Sequence, residues 1–305
     1  MKVLVTGGAG FIASHVADAY VERGHEVVIV DDLSSGQLEN VNPKAELVVA
    51  DLRDPATIDK LRGRNFDLVN HHAAQIDVRV SVADPAADAE LNIVATLRLF
   101  RAMIDEGVKK IIFASSGGAA YGEPKYAPQD EAHPVAPLSP YGCAKLSIDQ
   151  YLYFFRHVHG IRATSLRYGN VYGPRQRKDG EAGVVAIFAG ALIDGQPVRI
   201  NGTGQQTRDY VLVEDVVRAN MAASEHQTDG IFNVGTGVET SVNELFEALR
   251  DTLGIRAEAE HAPAKAGEQM RSVLDGRKLR QLANVPEPIA LREGLRRTVA
   301  WMRGD

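Results

Sequence analysis

Short apolar runs alternate with segments of helical period through the first half of the chain. Val3–Thr6, Glu26–Val30, Leu47–Val49, Leu68–Asn70, Lys110–Ala114 and Ala163–Leu166 have the length and apolar character of strands. Between them, Ile12–Arg23 and Ala86–Glu106 repeat their apolar positions about every 3.6 residues, which predicts amphipathic helices. Strands that alternate with helices form βαβ units, whose crossovers make the sheet parallel and cover both its faces. The expected fold is therefore α/β, a Rossmann-like doubly wound parallel sheet. After Arg167 the pattern loosens, and Gly and Pro become frequent around Tyr172–Gly183 and Asn201–Gly204. The expected division is one domain over residues 1–167, rejoined by about 211–236, and a smaller C-terminal α/β lobe from 168–210 and 237–305.

Composition narrows the classes. A chain of 305 residues with 45% hydrophobic and 24% charged residues has the balance of a globular protein and room for this two-part plan. A net charge of −6 argues against nucleic acid or an anionic membrane as partner, since both need a basic face. Cys143 is the single cysteine, so no internal disulfide forms, and no Cys/His spacing suits zinc. No apolar run approaches the roughly 20 residues of a membrane span. With a strand at the very start of the sequence, these features lead us to expect a cytoplasmic protein without a metal.

Chemistry first appears at Thr6-Gly7-Gly8-Ala9-Gly10-Phe11-Ile12-Ala13, which ends the first strand and opens the first helix. Gly7 and Gly10 allow a tight turn and close approach of a ligand, and the helix N-terminus offers free N–H groups to a pyrophosphate. From Gly8 the spacing is G-x-G-x-x-A, with Ala13 small enough for helix–strand packing. Asp31, eighteen residues beyond Ala13, follows the second strand. A carboxylate there accepts from ribose hydroxyls and repels a 2′-phosphate, which favours NAD over NADP. The bland reading of Asp31 and Asp32 is a pair of exposed turn residues.

A second motif is Tyr141-Gly142-Cys143-Ala144-Lys145, placed after Ser139-Pro140 at the start of a predicted helix 141–159. Four-residue spacing sets both side chains on one face. A nearby ammonium lowers the pKa of a phenol and makes it a usable base at neutral pH. Tyr121 and Lys125 share that spacing, but Gly122 and Pro124 predict a turn there instead of a helix.

Taken in order, TGGAGFIASH, DDLSSG, ADLRD, HHAAQ, FASSGGAAYGE, SPYGCAK, LRYGNVYGPRQ, GQQTRDYVLVEDVV and FNVGTG resemble the extended short-chain dehydrogenase/reductase family over essentially the whole chain, and within it the bacterial UDP-glucose 4-epimerases. The resemblance implies a catalytic Tyr141 and Lys145. It implies an NAD site lined by Gly7, Gly10, Phe11, Ile12, Asp31, Asp32, Ser35, Gly36, Asp51, Leu52, Ala73, Ala74, Asn92 and Tyr168. Asn170, Arg208 and Lys265 would hold the diphosphate of a UDP-hexose, with Ile200 and Tyr210 near the uridine. Asn170 could also serve a buried turn, and Arg208 could pair locally with Asp209. A homodimer through helices 86–106 and 141–159 is the family's usual assembly; burial of those stripes against their own sheet is the alternative.

Three positions depart from the family pattern. Gly117 stands where a catalytic serine or threonine is usual, which leaves Ser116, displaced by one residue, as the candidate hydroxyl. Lys265 stands for a frequent arginine, and Ala13 for the third glycine. Relatives share oxidation at C4 and differ afterwards. Dehydratases add an Asp-Glu pair before the Y-G turn, where this chain has Gly117-Gly118-Ala119-Ala120. A 4-epimerase needs no added group, so interconversion of UDP-glucose and UDP-galactose is the expected reaction. The alternatives are an N-acetylhexosamine or uronic acid 4-epimerase, a UDP-glucuronate decarboxylase, and a non-catalytic NAD-binding regulator.

Overall fold

The computed structural model describes residues 1–178, 183–264 and 269–304, so Lys265 lies outside the described residues. Its strands are β1 (Lys2–Thr6), β2 (Glu26–Asp31), β3 (Glu46–Val49), β4 (Leu68–His71), β5 (Lys110–Ser116), β6 (Arg162–Tyr168), β7 (Asn170–Tyr172), β8 (Val198–Asn201), β9 (Thr207–Arg208), β10 (Tyr210–Leu212), β11 (Gly230–Val234), β12 (Thr240–Ser241) and β13 (Ala259–Ala262). The helices are α1 (Phe11–Glu22), α2 (Pro55–Leu61), α3 (Val78–Ala83), α4 (Pro85–Ala89), α5 (Thr96–Asp105), α6 (Gly117–Tyr121), α7 (Pro140–His159), α8 (Val184–Ile193), α9 (Val213–Glu225), α10 (Val242–Leu253), α11 (Arg277–Ala283) and α12 (Leu291–Arg303).

Seven strands form one parallel sheet in the order β3-β2-β1-β4-β5-β6-β11. All six strands expected from the sequence are in it. Successive residues of β1 face opposite sides: Val3 and Val5 pack with α1 and α9 residues, whereas Leu4 packs with Leu99, Phe100 and Ile148. Burial on both faces is why these strands read as nearly continuous apolar runs. The order reverses between β1 and β4, and crevices for ligands open beyond strand ends at such a point.

The helix expected over 86–106 is not one regular helix. Asp84 caps α4 by accepting from Ala87 N, and Pro85 starts it. One stretch of π-helix, Glu90–Ala95, then joins α4 to α5. Apolar periodicity survives such a wider turn, so the sequence pattern does not reveal it. The second cluster of elements pairs β7 with β10, β9 with β12 and β8 with β13. Its apolar interior is made by α8, α10 and α12 with Tyr172, Ile200 and Tyr210. Among the described residues, no helix is long and apolar enough to cross a membrane.

Candidate functional site

Gly7 has φ +70°, and a Cβ on it would lie 2.8 Å from the Ala73 backbone nitrogen. No other residue type fits both the conformation and the close approach of the β1 and β4 loops. The turn leads to Gly10, the N-cap of α1, which has no side-chain cap and no acidic residue in its first turn. The open N–H groups and positive end of the helix therefore suit an anion. The turn and the helix end therefore fit the diphosphate of a dinucleotide.

Asp31 ends β2 and is 7% exposed; its Oδ2 accepts from Ala9 N at 2.9 Å and its Oδ1 from Leu33 N at 2.8 Å. Each oxygen keeps one further accepting direction. Burial raises its pKa, and the two N–H groups oppose that shift. Gly36 lies against it: a Cβ there would be 2.8 Å from Asp31 Oδ1. Asp32 is exposed and occupied by Ser34 N and Oγ, while Ser35 is exposed on the same loop. Asp51 pairs with Arg53 at 2.7 Å, which lowers its pKa, and Leu52 beside it is buried.

Beyond β4, Ala73 and Ala74 are partly buried, and Ala73 N donates to Thr6 Oγ1 at 3.2 Å. Asn92 is held on the π-helix. Its Nδ2 donates to Gln75 O and to Asp88 Oδ1, both at 2.9 Å, and its Oδ1 accepts from Gln75 N at 3.0 Å. Those bonds turn Asn92 toward the loop after β4, so it shapes that loop. Tyr168 ends β6 with its hydroxyl against Asn220 Nδ2 at 2.9 Å and His72 Nε2 at 3.2 Å. Burial pushes its pKa well above the ordinary value, so it forms a neutral wall.

Ser139 caps α7 by accepting from Gly142 N, with Pro140 in the first turn, which fixes where Tyr141 leaves the helix. Lys145, one turn on, is 4% exposed. Its Nζ donates to Ala114 O at 3.0 Å, 4.8 Å from the Phe113 ring centroid and 5.7 Å from that of Tyr141. Burial pushes the ammonium down to about 8, and Asp149 and Asp88 resist the shift. His71 and His72 are neutral, through burial first and the Lys145 charge second. Ser116 caps α6, accepting from Ala119 N at 3.4 Å, and stands beside Tyr168 in the β5–β6 register. Tyr121 and Lys125 do not share a helix, as expected: α6 ends at Tyr121, and Gly122 at φ +68° turns the chain before Lys125. Tyr121 is buried and its hydroxyl donates to Asn233 Oδ1 at 2.9 Å.

The ends of β2, β1, β4, β5 and β6, successive in the sheet, thus carry Asp31, Gly7, Ala73, Ser116 and Tyr168. The second lobe supplies the substrate candidates. Asn170 is exposed at the start of β7, and its N–H bonds Asp209 O at 2.7 Å. Arg208 is partly buried and its Nη1 donates to Thr207 O at 2.8 Å. Asp209 is fully buried and accepts from Thr236 N, Thr236 Oγ1, Gly237 N and Leu274 N. Tyr210 is buried, as is Ile200, which also lines a cleft of about 410 Å³ with Asn243, Arg250 and His261.

The sequence reading missed two groups. Asp149 receives Ser165 Oγ at 2.5 Å and the Arg167 guanidinium at 2.8 and 3.0 Å, all of it buried. Asp88 is buried between Gln75 and Asn92. The four-residue step from Lys145 to Asp149 was the available signal for the first. Among the described residues, no group of three or more His, Cys, Asp or Glu could hold a metal.

Residues 3–235 match the model of the NAD dependent epimerase/dehydratase family. The chain is 46% identical over 303 residues to a putative UDP-glucose 4-epimerase of Methanocaldococcus jannaschii, covering 99% of each. It is 43% identical over 309 residues to the UDP-glucose 4-epimerase of Mycolicibacterium smegmatis, again covering 99% of each. The solved UDP-glucose 4-epimerase of Thermotoga maritima with UDP-glucose superposes with a TM-score of 0.97 at 46% identity, over 100% of this chain and 99% of that one. That of Thermus thermophilus in complex with NAD gives 0.94 at 42% identity, with the same coverage. The chain belongs to the NAD-dependent epimerase/dehydratase family.

Proposed function

We propose that the protein is an NAD-dependent UDP-glucose 4-epimerase that interconverts UDP-glucose and UDP-galactose. The observation that carries this reading is the Tyr141–Lys145 pair on the first turns of α7, anchored to the end of β5 in the same sheet whose β1 runs into the uncapped glycine turn. Gly7, Gly10, Phe11 and Ile12 would hold the pyrophosphate, Asp31 the adenosine ribose, and Tyr168 a wall of the nicotinamide pocket. Bound NAD supplies a hydride acceptor that also returns the hydride. Tyr141 takes the proton of the C4 hydroxyl and gives it back to the same oxygen once the 4-keto sugar has turned and its other face receives the hydride. Lys145 keeps the phenol acidic enough to do so. Ser116, at the end of β5 opposite Tyr168, is the candidate hydroxyl for this chemistry. Residues Gly117–Ala120 of α6 hold no ionisable group, which favours epimerisation over loss of water. Asn170, Arg208, Tyr210 and Lys265 are the proposed nucleotide-sugar contacts.

The test is incubation of purified protein with each UDP-sugar and no added cofactor. Interconversion of UDP-glucose and UDP-galactose is expected; turnover only of N-acetyl or uronic acid sugars would replace the proposed substrate.

We also infer a homodimer through the outer face of α7. Ile148, Leu152 and Phe155 are buried on the sheet, whereas Tyr151, Phe154 and Val158 form a second, exposed stripe at helical spacing. An exposed apolar stripe of this kind marks a contact surface. Phe154→Glu should convert a dimer to a monomer in light scattering; a monomeric parent protein would overturn the assignment.

A further inference from the structure

Asp88 is 3% exposed, yet its two oxygens are treated differently. Oδ1 accepts from Gln75 Nε2 at 3.0 Å and from Asn92 Nδ2 at 2.9 Å. Oδ2 is buried with no hydrogen-bonding partner among the described residues. A buried carboxylate oxygen without a partner is costly unless a positive group is at hand. The π-helix sets Asn92 one turn beyond Asp88, and both α4 and the π-helix pack against α7. Lys145 is on that helix, and each of the two groups alters the proton affinity of the other. On the same side of the sheet, Ser115 follows Phe113, over which the ammonium lies, and its hydroxyl is also buried without a partner.

We propose that Asp88 is a positioning residue for the catalytic pair: a buried counter-ion whose open oxygen holds the Lys145 ammonium charged and aimed at Tyr141. The other candidate counter-ion is already engaged. Asp149 also acts on the Lys145 charge, but its oxygens are taken up by Arg167 and Ser165, which leaves Asp88 as the carboxylate with an open oxygen. Among the described residues, the remaining groups around Asp88 do not supply a competing cation. His71 and His72 are neutral, Asp77 is paired with Arg79 at the surface, and Glu90 reaches toward Arg98 at 3.9 Å. Gln75 and Asn92 act by fixing Oδ1, which leaves Oδ2 one direction to face.

The inference rests on the epimerase reading, and Asp88→Asn tests it in the holoenzyme. Asparagine keeps an oxygen for Gln75 and Asn92 but removes the charge. Loss of a nearby anion destabilises both the ammonium and the protonated phenol, so both limbs of the pH–rate profile should move to lower pH, by about one unit. kcat should fall on the alkaline side with KM for the UDP-sugar unchanged, and Asp88→Glu should restore the profile. A purely structural residue would lower the melting temperature and leave the profile in place, which would overturn the proposal. A second measurement needs no variant. A crystal structure of the holoenzyme should show Oδ2 linked to Lys145 Nζ directly or through one water, and an Oδ2 turned elsewhere would also overturn it. If the parent enzyme interconverts no UDP-sugar, the functional reading has failed instead.

Discussion

A Cβ placed on Gly117 would lie 2.5 Å from a methyl group of Leu274. Leu274 is fully buried, and its N–H is tied to Asp209 at 3.1 Å, so it has little room to move. The position where the family resemblance leads one to expect a hydroxyl is therefore filled from the second lobe. Gly117→Ser should cost about 1–3 kcal/mol through overpacking and bring no gain in kcat. Chemical denaturation and steady-state rates measure both, and a faster enzyme of unchanged stability would contradict the account.

Tyr141→Phe removes one oxygen from a partly buried ring without disturbing the Ser139 cap. General acid–base catalysis contributes about 10²–10⁴ in rate, and kcat should fall by that order. NAD should stay with the protein through gel filtration, because the glycine turn and Asp31 are untouched. Release of the cofactor would assign Tyr141 a structural role.

Lys145 gives a pH prediction whose sign differs for activity and stability. Burial lowers its pKa from 10.5 to about 8 in the folded protein. Between those values the unfolded chain binds the extra proton, so this group's contribution to stability rises with pH across that window. Activity needs the ammonium and should fall as pH rises through about 8. Rates and melting temperatures recorded across the window should move in opposite directions as far as this residue governs them. A rate that stays level well above the folded value would show that the ammonium is not required.

The parallel sheet, the glycine turn and the Tyr141–Lys145 pair were legible in the sequence, because each rests on local signals: continuous apolar runs, a turn that only glycine can make, and a Ser-Pro helix start. What stayed hidden depends on distant contacts. Asp88 looks like an ordinary helix residue until Gln75 and Asn92 are seen to hold it in a buried site. The filling of the Gly117 site by Leu274 joins residues far apart in the chain. Arg167 stands just past the expected strand Ala163–Leu166, and only the fold shows its partner on α7.

The Asp149–Arg167 pair is completely buried, with the guanidinium also 4.7 Å from the Tyr121 ring centroid. Removing one member leaves the other as an uncompensated charge, at a typical cost of about 3–5 kcal/mol. Arg167→Met and Asp149→Leu should each lower the denaturation midpoint strongly. The double substitution should recover much of the loss, since both charges are then absent. Additive losses in the double variant would mean that packing, and not charge pairing, explains the conservation of stability at this point.

Gly7 offers the sharpest test of the cofactor cradle. Alanine there meets both the unfavourable φ of +70° and the Ala73 backbone at 2.8 Å, and the latter cannot move without displacing the loop after β4. That loop bears Ala73 and Ala74 and is pinned by Asn92 through Gln75. Gly7→Ala should therefore displace the glycine turn on which the pyrophosphate is proposed to sit from the loop after β4. The expected result is protein purified largely without NAD and inactive unless cofactor is added in excess. Because β1 itself is unaltered, far-ultraviolet circular dichroism should remain that of the parent. Stoichiometric NAD in the purified variant would show that the close approach of these two loops does not shape the cofactor site.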